Sequence, residues 1–303
     1  MRKIGGEQMK VAVLSDVHSN NVALGACIEY ALNQGIETFL FLGDYFGECG
    51  NPEKTMDIIC ELKEKYECYF VKGNKEEAWL WYIENGPKDL EFGNSITGTL
   101  LYQYERRTIR TQRFFKELPI TELIQWTGLP TIQLCHGSPF STNQPIKQEN
   151  EDCYDIMNKC EGDIILCGHT HRRRVIESGS KIAYNPGSVG APLESGGKAQ
   201  FMILCGNDGI WTEEFVDIEY DIELAIRVLH EEKLDEYAPY WCQVTEMLLR
   251  TGEISHGQVL GSVMKKCREE TGECIWPYIP EKYWEPVMNE ITKEMEKKVK
   301  DGR

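Results

Sequence analysis

Residues 10–44 read KVAVLSDVHSNNVALGACIEYALNQGIETFLFLGD. This stretch holds two short apolar runs, Val11–Leu14 and Thr38–Leu42, on either side of a segment, Asn20–Asn33, in which apolar residues recur at helical spacing. A buried strand, a helix and a second buried strand are typical of a β-α-β unit with parallel strands. We therefore expect a layered α/β (α+β) architecture.

The chain after residue 44 extends this unit and then changes character. Pro52–Lys65 predicts a second helix with proline in its first turn, and Tyr69–Val71 predicts a third strand. A largely helical stretch at about 76–118 indicates an inserted cap. Five further strands are predicted, at Thr131–Cys135, Ile164–Cys167, Lys181–Ala183, Gln200–Leu204 and Trp211–Ile218.

From Asp221 onward the pattern is helical and charged. We predict a main domain over residues 1–220, which includes the helical insertion at about 76–118, and a C-terminal helical appendage over residues 221–303. The aromatic residues of the appendage indicate that it packs on the main domain or on another subunit of a homo-oligomer.

Charge and composition narrow the function classes. The 303 residues carry 33 Lys+Arg against 49 Asp+Glu, a formal net charge of −16, which excludes a nucleic-acid binder that relies on a general basic surface. Hydrophobic residues make up 41% and charged residues 27%, as in folded globular proteins. No apolar run approaches the roughly 18 residues that span a bilayer, and MRKIGGEQMK lacks the apolar stretch of a secretion signal. We expect a cytoplasmic protein without a membrane partner.

The twelve cysteines are scattered and are nowhere spaced as C-x-x-C, which argues against zinc ribbons and thioredoxin-like redox sites. Several lie within or beside apolar runs. We therefore expect reduced, buried thiols rather than a disulfide framework.

Five short polar motifs come directly after predicted strands. Because ligands gather at the carboxyl ends of strands in α/β sheets, we expect these motifs to converge. Taken singly, each has an ordinary explanation as a turn, a helix cap or a hydrogen-bonded core histidine. Together they collect four of the six histidines with two Asp and one Asn, which favours a metal site. The motifs are Asp16-Val17-His18, Gly43-Asp44, Gly73-Asn74, His136-Gly137 and Gly168-His169-Thr170-His171.

The chemistry of these side chains indicates the kind of metal. Imidazole and oxygen ligands without thiolate suit manganese, iron, nickel or zinc. Seven ligands are too many for one tetrahedral ion, so two metals that share a carboxylate are the simplest arrangement. Such a pair, roughly 3.5–4 Å apart, supplies a hydroxide and a clamp for phosphate oxygens in phosphate-ester hydrolysis.

The order D-x-H, G-D, G-N, H-G, G-H-x-H resembles that of the calcineurin-like metallophosphoesterases, from about Lys10 to Ile218. The stretches NPGSVG (185–190) and GDYFGECGNP (43–52) are similar to a small bacterial branch that includes diadenosine tetraphosphatase-like phosphodiesterases. The resemblance implies a four-layer αββα sandwich for the main domain. It leaves the C-terminal segment uncovered.

The resemblance also implies a role for each matching residue. Two divalent or trivalent transition ions would be bound, with manganese favoured over iron, nickel and zinc, and a hydroxide that bridges them would attack phosphorus. Asp44, Asn74 and His136 would act in catalysis. The first metal would be held by Asp16, His18 and His171, the second by Asn74, His136 and His169, and Asp44 would bridge both.

Two departures from the family pattern bear on the substrate. Lys75 follows Asn74 where many relatives have a histidine, so no histidine at this position can act as the general acid. After Asp44 the chain lacks the Val-Asp-Arg-Gly run of protein Ser/Thr phosphatases, which argues against phosphoprotein substrates.

Candidate substrate contacts are Lys75, Arg172, Asn185 and Ser188. Arg172 opens a run of three arginines that could instead form surface ion pairs, and N-P-G-S is also a turn-forming string. Aromatic residues of the insertion could stack on a nucleobase, although aromatics at helical spacing more often belong to a core. They are Trp79, Trp81, Tyr82, Tyr102 and Tyr104.

The sequence thus predicts a dinuclear metal-dependent phosphoesterase that acts on phosphodiester or nucleotide phosphoanhydride bonds of a small phosphorylated substrate. The alternative is a non-catalytic binding scaffold on the same fold, which has no need of seven intact ligands. A nuclease is disfavoured by the acidic balance and by Lys75.

Overall fold

Two five-stranded mixed sheets form the centre of the structure, a computed structural model that describes residues 9–300. The first sheet has the order β10-β9-β1-β2-β3, in which β1 to β3 are parallel and β9 and β10 run antiparallel. Its strands are β1 (Met9–Leu14), β2 (Thr38–Phe41), β3 (Glu67–Phe70), β9 (Ala199–Asn207) and β10 (Ile210–Ile218).

The second sheet has the order β4-β5-β6-β8-β7, with β5, β6 and β8 parallel and both edge strands antiparallel. Its strands are β4 (Thr121–Ile124), β5 (Ile132–Cys135), β6 (Ile164–Leu166), β7 (Arg174–Ser178) and β8 (Lys181–Asn185). The sequence did not predict β4 and β7. Both are edge strands whose half-exposed residues form no apolar run.

The main core lies between the two sheets. Val11 and Val13 of β1 face the second sheet and pack in one cluster with Leu134, whereas Ala12 and Leu14 pack on the opposite side, with the helices. This alternation follows the two-residue period of a strand. Buried apolar residues on both faces of the parallel strands explain why these strands read as continuous apolar runs.

Helices cover the outer face of each sheet. α1 (Asn21–Asn33) and α2 (Pro52–Lys65) pack on the first sheet, and α6 (Cys153–Lys159) packs on the second. Asn20 and Asn51 cap the first two helices, since each side chain accepts a hydrogen bond from a backbone N–H three residues on. The predicted four-layer αββα sandwich is confirmed.

The helical insertion consists of α3 (Asn74–Asn85), α4 (Thr97–Glu105) and α5 (Ile109–Glu117). Trp79 and Tyr102 are fully buried, so neither is available to stack on a base, and Trp81 is 55% exposed. Trp79 packs edge-on against Phe46 and Phe115.

The C-terminal segment is helical, as predicted, but it is closely joined to the insertion. Ile96 of the insertion shares a buried cluster with Trp241 and Trp284, and Tyr102 shares another with Leu229. The first eight and last three residues of the predicted domains lie outside the described residues. The C-terminal elements are α7 (Ile222–Glu231), α8 (Leu234–Tyr237), α9 (Pro239–Thr251), α10 (His256–Thr271), a 3₁₀ turn (Glu281–Tyr283) and α11 (Trp284–Lys300).

All twelve cysteines lie in the described part of the chain and are free thiols. Within residues 9–300, no helix combines the length and the apolar content that a bilayer crossing requires.

Candidate metal centre

The five polar motifs meet at the carboxyl ends of the parallel strands. Asp16 and Asp44 follow β1 and β2, Asn74 begins α3 just after β3, and His136 follows β5 in the other sheet. His169 and His171 follow β6. Because both sheets present the same end here, side chains that are up to 155 residues apart in sequence (171 − 16) come together.

Asp16, His18 and His171 form the first group. The Nε2 atoms of His18 and His171 lie 2.8 Å apart. The Oδ1 atom of Asp16 lies 3.3 Å from Nε2 of His171 and 3.7 Å from Nε2 of His18. Asp16 and His18 are fully buried.

Asn74, His136 and His169 form the second group. Oδ1 of Asn74 lies 2.9 Å from Nε2 of His136 and 2.9 Å from Nδ1 of His169. Asp44 lies between the groups, with Oδ1 3.4 Å from Nε2 of His136 and Oδ2 3.8 Å from Nε2 of His18. The structure thus brings all seven candidate ligands together, and Asp44 faces both groups.

The tautomers of two histidines point lone pairs into the centre. Nδ1 of His171 donates to the Ala191 carbonyl at 2.9 Å, and Nδ1 of His136 donates to the Leu42 carbonyl at 2.8 Å. In the neutral ring, Nε2 is then an acceptor that faces carboxylate or amide oxygens. Acceptors this close repel each other unless a proton or a cation lies between them.

In the metal-free protein, protons bound by the histidines reduce this repulsion between acceptors. Burial lowers the pKa of His136, but Asp44 and Asp16 outweigh it and raise the pKa above its usual value. The pKa of His171 is also raised, because the attraction of Asp16 exceeds the effect of burial. His169 differs: burial and the neighbouring His136 lower its pKa to about 4. Since metal ions compete with protons for these nitrogens, the donor set fits metal cations.

The carboxylate of Asp16 also faces a position where positive charge would be favourable. Its Oδ2 accepts hydrogen bonds from the Ser15 hydroxyl at 2.6 Å and from the His169 N–H at 3.1 Å. Its Oδ1 is buried and has no hydrogen-bond partner within residues 9–300. Although burial raises the pKa of this carboxyl, His171 and His18 hold it well below the usual range. An ionised, buried carboxylate oxygen that faces two imidazole nitrogens, at 3.3 Å and 3.7 Å, is suited to a cation.

The backbone at the centre is strained. Five of the seven candidate ligands have φ values between 48° and 68°, in the left-handed region that costs a non-glycine residue about 1–2 kcal/mol. Strain of this kind persists where the surrounding structure over-determines it, which is typical of functional sites. The five residues are Asp16, His18, Asp44, His169 and His171.

Two glycines of the motifs allow neighbouring loops of the metal centre to lie close to each other. A Cβ atom on Gly73 would lie 2.1 Å from Oδ1 of Asp44, and a Cβ on Gly168 would lie 1.9 Å from Oγ of Ser15 and 2.7 Å from Oδ2 of Asp16. Any side chain at either position would displace a candidate ligand.

Glu76 organises two of these loops, and the sequence reasoning missed it. Its buried carboxylate accepts hydrogen bonds from the N–H groups of Asp44, Tyr45 and Gly73, each at 2.9 Å. Burial, followed by the charge of Asp44, raises its pKa to about 7. The available signal was a glutamate three residues after Gly73, the spacing of a capping box.

Asn185 and Ser188 use their polar groups to hold the loops of the centre. The Asn185 amide donates to the Gly168 carbonyl at 2.6 Å, and the Ser188 hydroxyl donates to the Asp16 carbonyl at 2.8 Å. Both side chains are buried, so the structure gives them a positioning role, and contact with substrate stays a prediction.

The three arginines at 172–174 each form an ion pair, which favours the structural alternative. Arg172 pairs with Glu194, and the next two arginines pair with Asp217 and Glu149 at 2.9 Å and 2.8 Å.

Lys75 lies beside the candidate metal centre, where the C-terminal helix α9 packs against the loop after β2. Its Nζ is 2.8 Å from Oε1 of Glu48 and 5.9 Å from the ring centroid of Trp241. Glu48, which is 4% exposed, also accepts a hydrogen bond from Nε1 of Trp241 at 2.5 Å. His256 stacks on Trp241 with ring centroids 4.6 Å apart. The sequence assigns no role to Glu48, although it lies in the GDYFGECGNP stretch, or to His256, which no motif marks.

Comparisons with known proteins identify the family and the fold. A family model described as "Calcineurin-like phosphoesterase superfamily domain" matches residues 9–208. The uncharacterised protein MJ0912 of Methanocaldococcus jannaschii is 28% identical over 244 residues, which cover 75% of this chain and 94% of that protein.

Two solved structures share the fold. The hypothetical protein PH1004 from Pyrococcus horikoshii superposes with a TM-score of 0.67 at 22% identity, over 82% of this chain and all of that one. A metallophosphoesterase from Sphaerobacter thermophilus gives a TM-score of 0.59 at 20% identity, over 80% of this chain and 99% of that one.

Proposed function

The chain belongs to the calcineurin-like phosphoesterase superfamily, and on that premise we propose that it is a dinuclear metal-dependent hydrolase of phosphodiester or nucleotide phosphoanhydride bonds. The observation that carries the proposal is the cluster of seven side chains in which imidazole lone pairs face carboxylate and amide oxygens. Such a cluster requires positive charge at its centre.

In this proposal the two groups of side chains hold one ion each. Asp44 contributes to both, because its Oδ1 faces His136 and its Oδ2 faces His18. Four imidazoles favour transition ions over magnesium, and manganese is the preferred candidate. The first ion is held by Asp16, His18 and His171, and the second by Asn74, His136 and His169.

When bound, the ions supply a water of lowered pKa and positive charge for the phosphate oxygens. The chain's own residues fix the geometry. The carbonyls of Leu42 and Ala191 orient His136 and His171 so that their Nε2 atoms point inward. Two divalent ions (+4) with the carboxylates of Asp16 and Asp44 (−2) leave a local charge of about +2, which attracts an anionic phosphate despite the net charge of −16.

Lys75 stabilises charge in this scheme and does not donate a proton. Burial lowers its pKa, but Glu48 and Asp44 raise it above the usual value, so the ammonium stays protonated at neutral pH. Without an assisting acid, good leaving groups react best. Nitrophenyl diesters and the phosphoanhydride of a dinucleoside polyphosphate are therefore the preferred substrates, and a small nucleotide is the natural class.

We also propose that residues 1–220 are the catalytic domain, that residues 221–303 are a C-terminal helical appendage, and that the protein works in the cytoplasm. Twelve free thiols suit a reducing compartment.

The test is metal analysis of chelator-stripped protein reloaded with Mn²⁺, Ni²⁺ or Mg²⁺, combined with a screen of phosphomonoesters, phosphodiesters and dinucleoside polyphosphates. We expect two ions per chain and hydrolysis with Mn²⁺ or Ni²⁺ that exceeds hydrolysis with Mg²⁺. Asn74→Ala should lose on the order of 100-fold or more in rate, equivalent to about 2.7 kcal/mol.

Glu232→Gln is the matched control. This carboxylate ties Tyr102 and Arg106 of the insertion to the C-terminal helices away from the candidate ligands, so its loss should leave the rate unchanged. Stoichiometric metal without hydrolysis of any ester would support the binding scaffold instead.

A further inference from the structure

We propose that Glu48 is a positioning residue of the first metal group: its carboxylate accepts the Nδ1–H of His18 and is held in place by Lys75 and by Trp241 of the C-terminal helices. The proposal rests on the proposed function only in taking His18 as a metal ligand. It makes the C-terminal helices part of the metal centre, although all seven candidate ligands lie before residue 172.

His18 needs an acceptor on the far side of its ring. Its Nε2 faces Asp16, Asp44 and His171, so a metal bound there leaves the proton on Nδ1. That Nδ1 is buried and has no hydrogen-bond partner in the part of the chain that the structure describes. Metal-bound histidines almost always donate this second N–H to a carboxylate, a carbonyl or water, and the partner orients the ring.

Glu48 supplies the carboxylate. Its Oε1 lies 3.9 Å from Nδ1 of His18, so a shift of about 1 Å brings it to hydrogen-bond distance. The neighbouring Gly47 allows the chain to pass close to this ring, since a Cβ there would lie 2.0 Å from Nδ1. The loop after β2 therefore fits around the imidazole and carries Glu48 to its edge.

Two donors fix the carboxylate. Lys75, adjacent to Asn74, reaches Oε1 at 2.8 Å, and the Trp241 indole reaches Oε2 at 2.5 Å. The hydroxyl of Thr245, one turn further along α9, donates to the Glu48 carbonyl at 3.3 Å. Trp241 in turn is backed by His256, whose Nε2 lies 2.9 Å from the Thr245 hydroxyl. A chain of contacts thus runs from α10 to a candidate metal ligand.

The geometry separates this role from a simple ion pair with Lys75. A pair that only neutralised the lysine needs neither the indole donor nor a position beside Nδ1. A positioning role predicts a selective defect in the first metal group, while the second group, which Glu48 does not approach, keeps its ion.

The test compares Mn²⁺ titrations of stripped wild-type, Glu48→Gln and Glu48→Ala proteins, followed by electron paramagnetic resonance. Glu48→Gln is isosteric, so it keeps the variant foldable, but a neutral amide cannot accept from Lys75, Trp241 and His18 together. We expect one of two Mn²⁺ ions to bind about 10- to 100-fold more weakly in both variants, with loss of the spin-coupled signal at intermediate Mn²⁺. Glu232→Gln should bind both ions as wild type does.

Wild-type affinity for both ions in Glu48→Gln and Glu48→Ala would overturn the proposal, as would equal weakening of both ions. These outcomes are distinct from failure of the proposed function, in which the wild-type protein itself would bind fewer than two ions or hydrolyse no ester.

Discussion

Asp44→Asn should change the stability of the metal-free protein little while it removes most of its response to metal. The ligand atoms of Asp16, Asp44 and His136 all lie within 4.8 Å of one another. Two carboxylates at that separation repel by about 3.5 kcal/mol at an effective dielectric constant of about 20. Protonated His136, whose Nε2 lies 3.4 Å from Oδ1 of Asp44, attracts that carboxylate by a similar or larger amount. The two effects largely cancel, so we expect a net change of no more than about 1 kcal/mol, or on the order of 2 °C in melting temperature.

The substitution should leave the fold intact. Asn tolerates the left-handed conformation of this residue, with φ of 54°, and its amide oxygen can still accept the Lys75 N–H that Asp44 Oδ1 accepts at 2.9 Å. Metal binding should be weakened, because the variant lacks the negative charge that both ions share.

The assay is thermal unfolding with chelator and with saturating Mn²⁺. Wild-type protein at 100 times the dissociation constant should gain about 2.7 kcal/mol for each site, and Asp44→Asn should gain much less. Its hydrolysis should also fall further than that of Asn74→Ala, since one group serves both ions. A variant that gains the full wild-type shift with Mn²⁺ would contradict a role of Asp44 in holding both ions.

Two further predictions follow from the pKa environment of single residues. Lys75→His should raise the hydrolysis rate of alkyl phosphates more than that of nitrophenyl esters, because a histidine acid assists a poor leaving group by about 10²–10⁴-fold. If the wild-type protein hydrolyses both kinds of ester at the same rate when chemistry is rate-limiting, another residue is the acid. His230 has a raised pKa because of its hydrogen bond with Asp235, against a smaller effect of burial, and Nε2 faces Glu246 at 3.0 Å. A raised folded-state pKa stabilises the protein below the unfolded value of 6.5, and this stability is lost as pH rises through the folded pKa. His230→Gln should therefore lower the free energy of unfolding by up to about 1 kcal/mol near about pH 5.5 and leave it unchanged near about pH 9, as measured by urea unfolding. The effect is small because the side chain is half exposed. An equal loss at both pH values would contradict the assignment.

The sequence predicted the centre of the fold because local signals and tertiary structure agree there. β1, α1 and β2 are buried elements with clear apolar periods, and the motif residues stand at strand ends, where the topology brings them together. Edge strands β4 and β7 lacked such a signal, because one face of each is solvated.

The contacts between Glu48 and the C-terminal helices could not be predicted from the sequence in the same way. Glu48 and Trp241 are 193 residues apart, and their hydrogen bond depends on how the C-terminal helices pack against the loop after β2. A single glutamate in a loop carries no periodic signal, and its burial is a tertiary property. The sequence could not reveal the hydrogen bonds of Asn185 and Ser188 either, because their acceptors, the Gly168 and Asp16 carbonyls, lie in loops that only the fold brings close.

The central claim is that seven side chains hold two metal ions. Crystals of the protein soaked in saturating Mn²⁺ and measured at the manganese absorption edge test it most directly. We expect two anomalous peaks per chain, roughly 3.5–4 Å apart, with Asp44 in contact with both. A single peak, no peak, or two peaks without Asp44 between them would contradict it.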